Sequence, residues 1–386
     1  MATRVVIAGG GVAGLEATLA LQDLAPELVE IEVLAPEEDF TYRPLAVAEP
    51  FLAGEVRRFP LRALVEGAGA TLRPTSVVGV DPGRRVVRTA EGEEVGYDAL
   101  LLALGARPVE TVPGALTFRG PTDGPALAAL LKQALDGEIH RIVFALPSGV
   151  TWPLPLYELA LLTGTYLTDR GGMGVEITLV TPEETPLGIF GAAGSDAIRE
   201  LFEARGVGLH GHATPVRFEN GVLQVTHEGR IEADRVVALP RLVGPKLPGV
   251  PSDANGFVPT DQHGRVGSEV DVYAAGDLTQ FPLKQGGIAT QQADAAATAI
   301  AAQAGASVEP EPFRPVLRGL LLTGMVPRYL RAEAGTARSA VDTEPLWWPP
   351  AKIVGRYLAP FLAERLGISD EPPPAARDAV AVEVRL

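Results

Sequence analysis

The chain contains no cysteine. Disulfides, thiolate metal sites, iron–sulfur clusters and every redox relay that runs through thiols are therefore excluded. Positive charge is scarce as well: 33 lysines and arginines stand against 48 aspartates and glutamates, a net charge of −15. Such a surface repels a phosphate backbone, and no basic stripe interrupts it, so nucleic acid is not an expected partner. Long apolar runs are missing too. The stretch 142–168 carries only Glu158 as a charged residue, but Pro147, Ser148, Gly149, Pro153 and Pro155 interrupt it. It reads as strand, loop and helix rather than as a membrane span. Of the five histidines only His210 and His212 are closely spaced, and no carboxylate accompanies them, so no metal site is expected. No signal peptide fits before Val5, and the expected location is the cytoplasm.

What is present is the composition of a globular protein, 46% hydrophobic and 21% charged. At about 150 residues per domain, the length allows two or three domains. The order of short apolar strands and helices points to the α/β class. Residues 4–8 form a β-branched apolar run, as in a central parallel strand covered on both faces. It is followed at once by Gly9-Gly10-Gly11-Val12-Ala13-Gly14. In this spacing the first glycine permits a tight turn, the second admits a pyrophosphate to the backbone, and the third lets a helix pack on the strand. The helix expected over 15–24 then aims its N-terminal N–H groups at the phosphates. A second strand, 29–34, ends where an acidic residue would hold a ribose. That position is Ala35, so the ribose is left to Glu37 or to backbone and water. The segment 39–45, which contains Arg43 and Pro44, is too irregular for a helix start and too aromatic for a solvated loop. It is expected to lie along the bound cofactor.

Further signals follow in a fixed order. A strand at Ser76-Val77-Val78-Gly79-Val80-Asp81 is followed by a hairpin at Glu91-Gly92, and then by an apolar run into Ala103-Leu104-Gly105. Much later come Ala275-Gly276-Asp277 and Lys284-Gln285-Gly286-Gly287, the latter opening a helix over 289–302. This order resembles the two-dinucleotide-domain flavoproteins of the pyridine nucleotide–disulfide oxidoreductase superfamily. Within it, the sequence is similar to sulfide:quinone oxidoreductases and type II NADH dehydrogenases over roughly the first 366 residues. The resemblance implies FAD as cofactor and two Rossmann-like domains. One is discontinuous, 1–115 with 245–312; the second spans 116–244, and a C-terminal segment covers 313–386. It implies that FAD is held by Gly9, Gly11, Val12, Ala13, Gly14, Ala35, Arg43, Pro44, Val77, Ala103, Leu104, Gly105, Gly276, Asp277, Lys284, Gln285 and Gly287. Reduced flavin is negative near N1 and O2, where Lys284 and a helix N-terminus would stabilise it.

The second domain lacks its fingerprint. After the strand at 141–146 the turn reads Pro147-Ser148-Gly149-Val150-Thr151-Trp152-Pro153-Leu154-Pro155. The prolines remove N–H donors and a tryptophan stands where a pyrophosphate would press on backbone, which argues against ordinary NAD(P) binding. An acidic ribose ligand is also missing after Val180-Thr181-Pro182 unless Glu183 turns in. Sulfide:quinone oxidoreductases place catalytic cysteines where this chain has none, so their persulfide relay does not carry over. Glu158 matches a glutamate that type II NADH dehydrogenases place between nicotinamide and quinone. A lone carboxylate in an apolar stretch has either a partner or a raised pKa, and either suits proton delivery. A helix-start role is the competing account. Trp152 either stacks near the flavin or fills core.

In the tail, 347–362 carries Ile353, Val354, Tyr357, Leu358, Phe361 and Leu362 on one helical face, with Lys352 and Arg356 off it. Such a helix would meet a membrane surface through 347–366, a twin subunit in a homodimer, or the chain's own flavin domain. Packing is favoured because Pro360 interrupts the helix and the molecule is acidic. Beyond it a loose tail starts at Asp370, with a strand possible over 379–386. The expected function is an FAD-dependent oxidoreductase that moves electrons from a small donor to a quinone-like or other small acceptor, with Glu158 and Lys284 as candidate catalytic residues. The alternatives are an NAD(P)H dehydrogenase or oxidase with atypical nucleotide binding, and a non-catalytic flavin scaffold or redox partner.

Overall fold

The computed structural model describes residues 2–368 except 173, 228, 268–270, 334–335 and 337. The tail from Asp370, including the strand expected over 379–386, lies outside the described residues. Among the described residues the α-helices are α1 (Val12–Leu24), α2 (Leu61–Gly67), α3 (Gly124–Leu135), α4 (Leu154–Asp169), α5 (Gly191–Glu203), α6 (Gly286–Gln303) and α7 (Leu358–Arg365).

The first sheet is parallel, in the order Val272–Ala274, Ala99–Leu102, Thr3–Ala8, Val29–Leu34, Thr71–Arg73. Its central strand is shielded from solvent over Val5, Val6, Ile7 and Ala8, as its unbroken apolar run requires. Alternate side chains go to opposite layers. Val5 and Ile7 pack in a cluster with Leu15 and Ala17 of α1 and Ala293 and Ala297 of α6. Val6 and Ala8 pack with Val77, Val80, Val87 and Val95 of the antiparallel meander Val77–Asp81, Val86–Thr89, Glu94–Gly96. Small residues on α1 and α6 let the two helices lie close. The strand Val272–Ala274 joins this sheet only after the chain has built a second one.

That second sheet is also parallel, in the order Leu116–Thr117, Arg235–Ala238, Arg141–Ala145, Glu176–Val180, Val207–His210. The antiparallel pair Arg107–Val109 and Arg241–Val243 ties the entry and exit of this unit together. The tail adds the antiparallel meander Val316–Leu321, Arg328–Glu333, Ser339–Asp342 before α7. The α/β class and the doubled nucleotide-binding architecture are as expected.

Three local expectations change. Residues 39–45 are ordered as the strand Asp39–Tyr42, paired with Arg57–Pro60, followed by the 3-10 turn Arg43–Val47. α6 begins at Gly286 rather than at 289, because the Gln285 side chain caps it by accepting the Ile288 N–H at 2.9 Å. The helix expected over 347–362 is confined to α7. Before it the chain crosses in irregular form, in keeping with Pro349 and Pro350. Pro360 falls in the first turn of α7, where a missing N–H is tolerated. The apolar residues are buried all the same: Ile353, Leu358 and Leu362 pack with Leu61 and Leu64 of α2 in the core beside α1. Each such side chain contributes on the order of 1.5–3 kcal/mol there. No described helix is long and apolar enough to cross a membrane.

Candidate functional site

The turn between the first strand and α1 needs glycine at two positions for steric reasons. Gly9 has φ +117°, and a Cβ on it would lie 2.3 Å from the Ala103 carbonyl oxygen. A Cβ on Gly14 would lie 2.0 Å from the Gly9 carbonyl oxygen, so α1 sits directly on the turn. Gly11 differs. It is the N-cap of α1, with no side-chain cap bond, and a Cβ on it would meet nothing within 4 Å. The first-turn N–H groups of α1 have no intrahelical acceptors, and the space beside Gly11 at the head of the helix is open. A pyrophosphate fits that space and needs those donors. Gly105, at φ +67°, also borders open space, whereas Leu104 packs partly against the core and Val77 is buried in it. Ala35 is fully buried against Gly10, and Glu37 is exposed.

A cavity of about 260 Å³ is lined by residues of both nucleotide-binding units and of the tail. Arg43 and Pro44 line it from the 3-10 turn, and Asp277, Lys284, Gln285 and Gly286 from the approach to α6. Trp152 and Glu158 face it from the second unit, and Lys352 from the tail. The structure therefore brings these residues together from four separated parts of the chain.

Glu158 is the most constrained of these. The carboxylate is 1% exposed; Lys352 Nζ donates to its Oε1 at 2.6 Å and Oε2 at 2.7 Å, and the Leu322 N–H donates to Oε1 at 2.8 Å. Burial pushes its pKa up, against the opposing pull of Lys352 and of the Leu322 N–H. Both branches of the sequence expectation hold together: the carboxylate has a partner and a raised pKa. Lys352, read from sequence as a polar-face residue, is instead a buried cation. A lysine alone among Trp347, Trp348, two prolines, Ile353 and Val354 was the signal for it.

Lys284 is also held. Its ammonium donates to the Thr279 carbonyl and, at 2.7 Å, to the Phe281 carbonyl, and lies 4.0 Å from the Phe257 ring centroid. Burial lowers its pKa to about 8, with Asp277 and Asp253 pulling the other way. Burial raises Asp277, opposed by Lys284 and Arg43. The Gly276 N–H donates to Gln292 Oε1 at 2.8 Å, which fixes the turn that presents Asp277. Sequence reasoning did not single out Gln292. Gln285 is committed to capping α6 and to the Arg318 carbonyl, 3.1 Å away. A Cβ on Gly287 would crowd that same Gln285 side chain at 3.1 Å.

In the second unit Trp152 packs edge-on against Phe190, centroids 5.9 Å apart, while also lining the cavity. Glu183 does not turn toward a ribose position: it accepts hydrogen bonds from the Tyr157 hydroxyl and, at 2.9 Å, from Thr181 Oγ1. Burial is the main cause of its raised pKa, and the main cause of the raised pKa of Tyr157.

Two parallel sheets joined by a short antiparallel pair, with a glycine turn at the head of one, define a two-dinucleotide-domain flavoprotein. The chain belongs to the pyridine nucleotide-disulphide oxidoreductase family, whose model matches residues 3–143 and 160–302. It is an FAD-dependent oxidoreductase. The interruption of the match, 144–159, covers the proline loop and Glu158. The sulfide-quinone reductase of Aquifex aeolicus is 31% identical over 214 residues, which are 53% of this chain and 48% of that enzyme. The aligned stretch thus spans about half of that relative's length. A rubredoxin-NAD(+) reductase of Pseudomonas putida is 26% identical over 351 residues, 83% of this chain and 86% of that one. The crystal structure of the Aquifex aeolicus sulfide:quinone oxidoreductase superposes with a TM-score of 0.81 at 20% identity, covering 88% of this chain and 87% of that chain. That likeness is one of fold.

Proposed function

We propose that this flavoprotein delivers electrons to a quinone-like small acceptor in the cavity beside Glu158, and that it takes them from a small donor without any cysteine chemistry. The observation that carries this reading is the Glu158–Lys352 pair, buried and yet lining the cavity. FAD, when bound, supplies the two-electron store; the residues around it do the rest. Gly9, Gly11, Val12, Ala13 and Gly14 would hold the pyrophosphate, with Ala35, Val77, Ala103, Leu104 and Gly105 along the nucleotide. Arg43, Pro44, Gly276, Asp277, Lys284, Gln285 and Gly287 would border the ring end. We take 1–115 with 245–312 as one domain and 116–244 as the other, a division that the strand membership of the two sheets supports.

A quinone-like acceptor takes up protons as it takes electrons. Glu158 holds a proton more readily than an ordinary carboxylate, and Lys352 stands ready to donate to an acceptor oxygen or to stabilise it as an anion. Apolar neighbours such as Trp152, Leu320 and Leu242 exclude water and fit a planar ring.

Glu183 and the proline loop favour a donor other than a conventionally bound NAD(P)H. The test is anaerobic addition of sulfide, NADH or NADPH to the yellow protein, followed by a soluble quinone. Bleaching by NADH with saturation overturns this part; no bleaching by any donor supports the scaffold reading. A cytoplasmic location goes with this reading. Ile353, Leu358 and Leu362 of the segment 347–366 pack in the chain's own core, which favours packing over membrane contact or a homodimer.

A further inference from the structure

Two acids outside the cavity sit where nothing in the flavin chemistry calls for them. Glu16 follows the glycine turn on α1 and is fully buried; its Oε1 accepts the Tyr357 N–H at 2.9 Å and its Oε2 the Leu358 N–H at 2.7 Å. Asp294 of α6 lies against Glu16, and its Oδ1 is buried without a partner. The packing leaves no slack, since a Cβ on Gly355 would lie 2.5 Å from Glu16 Oε2. Other side chains hold the same stretch of tail. Thr290 Oγ1 of α6 donates to the Val354 carbonyl at 2.6 Å, Tyr42 Oη accepts the Ile353 N–H at 3.0 Å, and the Tyr357 hydroxyl donates to Asp23 at 3.2 Å. Residues 352–358 are thus a strap clamped on α1 and α6, and its first residue is Lys352.

We propose that Glu16 and Asp294, as a hydrogen-bonded carboxyl–carboxylate pair, are positioning residues that clamp the strap and so set Lys352 against Glu158. Two adjacent carboxylates, Glu16 fully buried and Asp294 half-buried, cannot both ionise cheaply, so the second proton of the pair is held more tightly than in an ordinary carboxyl. Burial raises both; Glu16 pushes Asp294 up further, whereas the hydrogen bonds to Glu16 from the strap N–H groups and from Asp294 pull Glu16 the other way. The other charged or titratable groups that act on the pair are Arg356 and Tyr357 of the strap. Arg356 favours ionisation of Asp294 but is exposed and screened. With folded pKa values above unfolded ones, the stabilisation is fully present below the ordinary carboxylate range and is lost as pH rises through the folded values. The strap then loosens and Lys352 leaves Glu158.

The role of Lys352 rests on the acceptor reading above, so the test uses one readout that does not. Backbone hydrogen exchange of 353–358 in the holoprotein is followed from about pH 6 to pH 10, corrected for intrinsic base catalysis, alongside kcat for reduction of a soluble quinone. The wild type is expected to gain on the order of tenfold in corrected exchange across one alkaline transition, with kcat falling at the same midpoint. Asp294→Asn keeps a hydrogen-bond donor to Glu16 without a titrating group and should remove both transitions. Glu16→Gln, which gives up one of the two acceptors, should raise exchange at every pH. A flat wild-type exchange profile overturns the proposal, and this holds even where a variant fails to fold. An Asp294→Asn variant that keeps the wild-type transition overturns it too. An exchange transition without any quinone reduction would leave the clamp standing and remove the acceptor reading instead.

Discussion

Lys352 and Glu158 are 194 residues apart in sequence and form an ion pair with both carboxylate oxygens engaged, at 2.6 and 2.7 Å. The pair joins the tail to the second nucleotide unit across the cavity. Lys352→Met is expected to leave an uncompensated buried carboxylate and to cost about 3–5 kcal/mol. The loss should grow as pH rises, because Glu158 tolerates burial when protonated. Adding Glu158→Gln should recover most of it. Urea unfolding of the two singles and the double, at two pH values, checks both statements.

Gly11 and Gly14 should respond differently to alanine. Gly14→Ala drives a methyl into the Gly9 carbonyl and is expected to destabilise the FAD-free protein itself. Gly11→Ala meets no protein atom, so the FAD-free stability should stay within about 0.5 kcal/mol while FAD affinity falls. Thermal unfolding of the stripped protein and FAD titration separate the two effects.

Lys284 carries a pH signature. Its pKa is lowered to about 8 by burial, so the folded FAD-free protein binds fewer protons than the unfolded chain from there up to the ordinary lysine range. Stability should therefore rise with pH through this window, and Lys284→Met should remove the rise. In the holoprotein the same substitution is expected to lower the flavin reduction potential, by about 30 mV for each 1.4 kcal/mol of lost stabilisation. Potentiometric titration of the two proteins reads this directly.

NADH and NADPH are expected to bind more weakly than about 1 mM, if at all. Prolines 147, 153 and 155 withhold donors, and Glu183 is engaged by Tyr157 and Thr181. Calorimetric titration with either nucleotide tests this, and saturable binding in the micromolar range contradicts it.

How legible these features are depends on how local their cause is. The Gly9, Gly11, Gly14 turn is readable because its main constraint is local: Gly14 packs on the Gly9 carbonyl five residues away, although Gly9 itself is pressed by the distant Ala103 carbonyl. The proline loop was readable for the same reason. Lys352 was not: its partner lies on the opposite unit, and a helical period in 347–362 placed it on a polar face. The apolar stripe in that segment reports burial correctly but not helix, because Pro349, Pro350 and Gly355 break the backbone while leaving the side chains to pack. Gln285 shows the converse. A residue assigned to the cofactor from resemblance uses its side chain as a helix cap, a use that needs the start of α6 to be known.

The central claim is that electrons leave through the cavity that Glu158 and Lys352 line. Its most direct test is the rate at which photoreduced protein is reoxidised by a soluble quinone under anaerobic stopped flow, comparing wild type with Lys352→Met and Glu158→Gln. The account predicts rapid reoxidation of the wild type and a loss on the order of 100-fold in each variant at unchanged flavin content. Equal rates in all three proteins would contradict it.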